Sequence, residues 1–408
     1  MLELIKKVDN ECGTPFYFVY PERFVNNLQS FRKAFTDIYP NFILSYSFKT
    51  NYTSVLLQKA KEISCFAETV SSMEYNLAVQ KGFATDKIIF NGPIKSFEDI
   101  KTALINKSIV QLDSEYEITH VLKLQKENPG QEIKIGLRIN MEVGSGSIAL
   151  QGGLRQSRFG FTTSMLEKVI PLLKEANIKI ISLHGHTSSS DRIVDNYRHI
   201  ANRLMEIRAK FDLNDIRYIN VGGGFFGAAP EGIDVSKKPK YTDYAKGICE
   251  TLLADKWFSE HKPYIVIEPG ASVVSNVFEL VTKIHQHKNI QGQDFVFADA
   301  SYFQVRPFLT KMNLPFTEYS DNPEQPEIIT DVVGATCMEV DKIAEGVSLK
   351  HYSHGDYLLF RAVGAYRQNL SPLFIIPWSP VVEVTSSGHI NILKNRQDAS
   401  DLLNMLEK

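Results

Sequence analysis

Eight short β-rich runs recur along the first two-thirds of the chain, and helical stretches separate them. This alternation limits the possible folds more than any other feature. The runs are FILSYSF from Phe42, SCFAET from Ser64, KIIFNG from Lys87, SIVQLD from Ser108, IKIGLRIN from Ile133, IKIISLHGH from Ile178, IRYINVGGG from Ile216 and YIVIEPG from Tyr264. Segments such as SVLLQKAKEI, SMEYNLAVQKG and VDNYRHIANRLMEIRAKF intervene with helix-like spacing. Eight strands, each followed by a crossover helix, give the period of a (β/α)8 barrel. A doubly wound open sheet is the rival, but no GxGxxG follows the first strand.

Beyond Glu268 the pattern changes. SVVSNVFELVTKIH, DFVFADASYF, EIITDVVGAT, DYLLFRAVGAY and PVVEVTSSGHINIL read as successive strands, and a short helix, ASDLLNMLEK, ends the chain. The fold class expected is therefore α/β plus β. A TIM-type barrel over residues 20–270 is followed by a β-sandwich or barrel-like domain over 271–408. TPFYFVY at Thr14 lies next to the barrel in sequence; the division used here groups residues 1–19 with the β domain.

Composition removes several functions. With 45 Lys+Arg against 47 Asp+Glu, the net charge of −2 offers no nucleic-acid footprint and no polybasic membrane patch. No apolar run approaches the ~18 residues that span a bilayer. Glu3 and Asp9 fall where a signal peptide would be apolar. Cys12, Cys65, Cys249 and Cys337 are scattered without a CxxC pair, so neither a zinc site nor a disulfide scaffold is expected. The reading is a cytoplasmic protein with no metal.

In such a barrel, chemistry gathers at the C-terminal ends of the strands. Here those ends carry Lys49, Glu68, Asn91, Asp113, Arg138, Asn140, His184, His186, Gly222 to Gly224 and Glu268. Three glycines after strand seven suit a phosphate held on loop amides, or simply a tight turn. Ser189 can add a hydroxyl to the same phosphate. Lys49, at the end of an apolar strand, is either a desolvated imine-forming amine or a rim lysine snorkelling to water. His186 is open to three readings: metal ligand, core histidine or ring-stacking group. HxH has no third ligand at short spacing. Glu268 in an apolar strand needs a cationic partner. Together, a phosphate site, an imine-forming lysine, a stacking histidine and a buried carboxylate for a pyridinium nitrogen are what pyridoxal 5'-phosphate requires.

At this point the chain resembles the fold-type III pyridoxal-phosphate decarboxylases, the group of diaminopimelate and ornithine decarboxylases. The resemblance runs in order along nearly the whole chain. It implies that SYSFKTN carries the Schiff-base residue, Lys49, and that AETVSSMEYNLA places Glu68 near the cofactor. LRIN followed by QSRFG is similar to the segment entering helix five, with Arg158 where a lysine is usual. HGHTSSS implies His186 on the ring face and Ser189 at the phosphate. INVGGGF supplies the phosphate loop (Gly222, Gly223, Gly224), and VIEPG supplies Glu268 and Gly270. FADASYFQVRPFL implies Arg306 as a substrate-carboxylate arginine. VVGATCMEVD implies Cys337 as the proton donor reaching a neighbouring subunit's site. FRAVGAYRQNLSPLF puts Tyr366 near phosphate and substrate.

Three positions depart from the family pattern. Ala271 stands where an arginine helps hold the phosphate. Thr310 stands where diaminopimelate decarboxylase has a substrate-binding tyrosine. Met338 stands where an acidic residue reads the distal ammonium, with Glu339 one place later. The implied activity is decarboxylation of an amino acid or amino-acid conjugate by a homodimer with shared sites. The distal shell leans towards a carboxylate-bearing substrate, as in siderophore or other secondary metabolism. Diaminopimelate decarboxylase proper, an amino-acid racemase and a non-catalytic cofactor-binding protein remain as alternatives.

Overall fold

The structure is a computed structural model that describes residues 1–141, 157–187, 192–307, 312–385 and 387–407. It divides into two compact units: residues 25–227 with 236–272, and residues 1–24 with 228–235 and 273–408.

A first strand, β1 (Phe16–Val19), precedes the barrel and belongs to the second unit. The barrel strands are β2 (Phe42–Ser47), β3 (Phe66–Thr69), β4 (Ile88–Phe90), β5 (Ile109–Leu112), β6 (Lys134–Ile139), β7 (Lys179–Gly185), β8 (Tyr218–Asn220) and β9 (Tyr264–Ile267). Each corresponds to one of the eight runs read in the sequence. All pairs are parallel, and β9 closes on β2 with Phe42 opposite Ile265. Parallel strands covered on both faces must be apolar almost throughout, which is why the runs were visible. Ile43, Ile89, Ile109 and Val266 cluster towards the N-terminal half of the barrel, with Phe66 and Tyr218 against them. That plug leaves the polar strand ends at the opposite, C-terminal mouth.

The second unit is a mixed sheet of nine strands. With β1 it comprises β10 (Phe278–Ile290), β11 (Gln293–Ala298), β12 (Phe316–Tyr319), β13 (Ile328–Val333), β14 (Lys342–Leu349), β15 (Tyr357–Phe360), β16 (Val381–Val384) and β17 (Ile390–Lys394). The long β10 pairs with β1 and β15 through its first half, then with β11 beyond an irregularity between Ile284 and Gln286. Such a bulge lets one strand serve two parts of a sheet. β1 lies between β10 and β16. An N-terminal helix, Leu2–Cys12, buries Ile5 and Val8 against Phe16, Phe18 and Val281 of this sheet.

Three readings are corrected here. SVVSN is not strand: Ala271–Val274 is a short helix and Ser275–Val277 a 3-10 turn, so β10 begins only at Phe278. β12 and β14 are absent from the strands expected above. β12 has four half-buried residues, and in β14 Glu345-Gly346 interrupts the alternation that marks a strand.

Candidate active site

Two buried carboxylates organise the barrel mouth. Glu68, at the end of β3, and Glu268, just past β9, are 1% and 5% exposed. Unpaired, such groups would be costly to bury. Asn91 bridges them: its Nδ2 donates to Glu68 Oε1 at 3.0 Å and to Glu268 Oε1 at 2.8 Å. Asn220, the last residue of β8, donates to the same Glu268 oxygen at 2.6 Å. His184 Nε2 stands 3.4 Å from Glu268 Oε2, too long for a good hydrogen bond. Burial alone would raise the Glu268 pKa. His184, Lys49 and the Asn220 amide outweigh that and hold it well below the usual carboxylate range. Glu268 is therefore an anion whose Oε2 can still accept a strong hydrogen bond.

Lys49 follows β2 in a single 3-10 turn. Its Nζ lies 2.7 Å from Glu68 Oε2, which also accepts from Ser47 Oγ at 2.5 Å. The lysine side chain is 40% exposed. It is thus not the desolvated amine that the apolar strand suggested. Glu68, one strand over, gives it a partner that the linear sequence could not show. Gly270 explains the tight join of β9 to β2, since a Cβ there would sit 2.1 Å from Thr50 Oγ1.

The Gly222 to Gly224 loop wraps onto these residues. Gly222 has φ +72°, and a Cβ on Gly223 would lie 2.2 Å from the Glu268 carbonyl oxygen. Both positions therefore require glycine. Gly223 N–H donates to His186 Nδ1 at 3.2 Å, which leaves the ring proton on Nε2. Burial first, then the charges of Arg138 and Lys49, push the His186 pKa down to about 3. This imidazole is neutral. The Gly222 amide is taken by Asn220 Oδ1 at 2.9 Å. The amides of Gly224 and Phe225 have no acceptor among the described residues.

Behind the mouth, buried charges interlock. Arg138 Nη1 meets Asp113 Oδ1 at 3.3 Å, and Glu117 accepts the Asp113 N–H at 2.6 Å. Glu117 in turn pairs with the fully buried Lys95 at 2.8 Å. Glu74, on the helix after β3, accepts the Val70 N–H at 2.8 Å. Its pKa is raised to about 7, chiefly by burial, with the Glu68 charge adding to the rise. Sequence reasoning gave no role to Asn91, His184 or Asn220. Position at strand ends was the available signal, and side-chain type alone did not assign their bonds.

The second unit carries the remaining candidates. Arg306 is 4% exposed, and its Nη1 lies 2.9 Å from Glu345 Oε1. The loop between β13 and β14 is knotted by Asp341, which accepts Thr336 Oγ1 at 2.6 Å, Thr336 N at 3.0 Å and Tyr302 N at 2.7 Å. On it Cys337 and Glu339 are exposed, while Met338 between them is half-buried. Tyr366 has φ +66°, a left-handed conformation that costs a bulky residue ~1–3 kcal/mol and recurs at ligand clamps. Ser189 and Thr310 lie outside the described residues. Ala271 opens the helix Ala271–Val274 and brings no charge.

Pyridoxal 5'-phosphate fits the barrel residues present. There is an anionic carboxylate with acceptor capacity, an amine, a neutral imidazole and two amides without acceptors beside a glycine loop. No group of three or more metal-ligating side chains occurs among the described residues. Comparison with known proteins agrees. Residues 22–275 match the family described as pyridoxal-dependent decarboxylase, pyridoxal binding domain. Diaminopimelate decarboxylase of Archaeoglobus fulgidus is 27% identical over 406 residues, covering 98% of this chain and 94% of that protein. The crystal structure of the Helicobacter pylori diaminopimelate decarboxylase complexed with L-lysine superposes with a TM-score of 0.84 at 23% identity, covering 99% of each chain. The arginine decarboxylase of Paramecium bursaria Chlorella virus shares the fold with a TM-score of 0.77 at 20% identity, covering 94% of this chain and 100% of that one. The chain belongs to the pyridoxal-dependent decarboxylases of fold type III, amino-acid carboxy-lyases whose cofactor is pyridoxal 5'-phosphate.

Proposed function

We propose that this decarboxylase acts on an amino acid or amino-acid conjugate that carries a carboxylate away from Cα and presents no free cation to residue 338. Bound pyridoxal phosphate supplies the electron sink for the pair left at Cα when the carboxylate departs as carbon dioxide. The chain supplies everything else. Lys49 Nζ would be the amine that holds the cofactor. Glu68 Oε2, 2.7 Å from Lys49 Nζ, orients it. Glu268, anionic and with Oε1 already taken by Asn91 and Asn220, would hold the ring nitrogen. Neutral His186 would hold the ring, and the Gly224 and Phe225 amides would hold the phosphate. Cα is then protonated by the thiol of Cys337 of the partner subunit in a homodimer with two shared sites. The exposure of Cys337 on its loop supports that role. The unpaired cysteines fit work in the cytoplasm.

The observation that carries the substrate reading lies at 337–339. Met338 is half-buried beside the exposed thiol, where the family resemblance has an acid, and a thioether cannot neutralise an ammonium. Glu339 faces solvent in its place. Arg306 offers a guanidinium fork suited to a carboxylate, which would have to displace Glu345. A second reading, meso-diaminopimelate, draws on the relatives of that name.

Carbon dioxide release from meso-diaminopimelate, lysine, ornithine and carboxylate-bearing conjugates, such as citryl-linked amino acids, decides between them. The conjugates should give the highest kcat/KM. A preference of more than about tenfold for lysine or ornithine, equal to ~1.4 kcal/mol of transition-state binding, overturns the reading of Met338. A lead for meso-diaminopimelate establishes the second reading.

A further inference from the structure

A phosphate ester brings a charge of about −2 into the barrel mouth. Two amides beside the glycine loop can bond it but cannot neutralise it. The nearby cations of the mouth are committed: Lys49 to Glu68 and Arg138 to Asp113. Position 271 contributes only a methyl group.

Arg192 is different. Its Nη1 donates to the Phe225 carbonyl at 3.4 Å, immediately after Gly224. Its guanidinium carbon lies 5.2 Å from the centroid of the Phe226 ring. No carboxylate pairs with it among the described residues. The backbone is fixed as well: φ is +47°, a conformation that a non-glycine residue keeps only when its surroundings impose it. The imposing group is Tyr244, whose side chain is fully buried. Its hydroxyl donates to the Arg192 carbonyl at 2.6 Å and accepts the Phe226 N–H at 3.2 Å. One buried hydroxyl thereby ties Arg192 to the segment that leaves the glycine loop.

We propose that Arg192 is the cation that holds the cofactor phosphate in this chain, set beside the Gly224 and Phe225 amides by Tyr244. The inference rests on the cofactor reading of the barrel mouth. A guanidinium gives a phosphate two parallel charge-assisted bonds where a lysine gives a point charge. Lys238 also leans on the Phe226 ring, with Nζ 4.8 Å from its centroid, but it is exposed, and solvent screens it.

The test uses the full-length chain, stripped of cofactor and titrated separately with pyridoxal 5'-phosphate and with pyridoxal, following the ligand's absorbance. Arg192→Gln should weaken pyridoxal phosphate by roughly ten- to hundredfold, the worth of one hydrogen-bonded charge. Pyridoxal, which has no phosphate, should bind the variant as it binds the wild type. That also shows the barrel is intact. Arg192→Lys should recover part of the loss, and Lys238→Gln should change little. Equal losses for both ligands, no loss for either, or a larger effect at Lys238 overturn the assignment. A wild-type chain that binds neither ligand overturns the cofactor reading itself, and this inference with it.

Discussion

The barrel mouth and the loop at 334–341 hold their functional groups in opposite ways. In the mouth, side chains from different strands fix one another. Asn91 spans two carboxylates, Asn220 shares one of them, and Glu68 holds both Lys49 and Ser47. No member can move without exposing a buried charge, a costly change where the dielectric is low. In the loop, Asp341 ties the backbone together but leaves Cys337 and Glu339 reaching into solvent. The first arrangement suits chemistry that must stay constant. The second suits contacts that change with substrate or are completed by another chain.

Breaking the mouth should therefore have the largest effect. Glu268→Gln keeps the shape but removes the charge, so on the proposed reading the ring nitrogen would lose its anionic partner while Asn91 and Asn220 lose theirs. We expect kcat to fall about 10²- to 10³-fold, the usual loss when a preorganised electrostatic group is removed. Single-turnover kinetics with saturating cofactor check this. A loss below about tenfold would mean that the interlocked carboxylate is structural rather than chemical.

The same contrast governs what the sequence revealed. All eight barrel strands were legible, because strands buried on both faces are nearly continuous apolar runs. That Lys49, Glu68, His186, Gly222 to Gly224 and Glu268 share one barrel mouth was legible because each ends a barrel strand. Their partners were not. Nothing in SYSFKTN shows that Lys49 meets Glu68, 19 residues on, rather than an apolar wall. Asn220 looks like any residue ending a strand until its amide is seen on Glu268. The sheet was read less well for a physical reason. Its strand β12 is short, half-buried and paired with β15 some forty residues on, and β14, though it pairs with the neighbouring β13, is half-exposed and breaks its alternation.

The loop is tested by sharing. Cys337→Ala should slow turnover about a hundredfold, the lower range for loss of a general acid. Lys49→Ala should be inactive. Mixed and allowed to exchange subunits, the two variants should recover about a quarter of wild-type activity, since half the dimers are hybrids and each hybrid keeps one complete site. If verified exchange restores nothing, each chain builds its own site, and the contrast between a fixed mouth and a loop completed by a partner fails.

The smallest effect concerns a carboxylic acid behind the mouth that burial holds against its charge. Glu74 is 4% exposed, behind Glu68, and its pKa is raised to about 7 from an ordinary 4.5. The folded chain therefore keeps this proton over a range where the unfolded chain has released it. Below pH 4.5 both states are protonated, and the group is neutral towards stability. As pH rises through that value the unfolded state deprotonates first, so stability falls until the folded group ionises near pH 7. The full cost above that pH is on the order of 3 kcal/mol. Glu74→Gln keeps an acceptor for the Val70 N–H and has no proton to lose. Urea midpoints should therefore nearly coincide for variant and wild type at pH 4.5 and separate at pH 8, with the variant the more stable, while kcat stays near the wild-type value. A wild-type chain that gains stability relative to the variant as pH rises would mean that Glu74 is ionised and paired, and that the mouth tolerates no neutral acid.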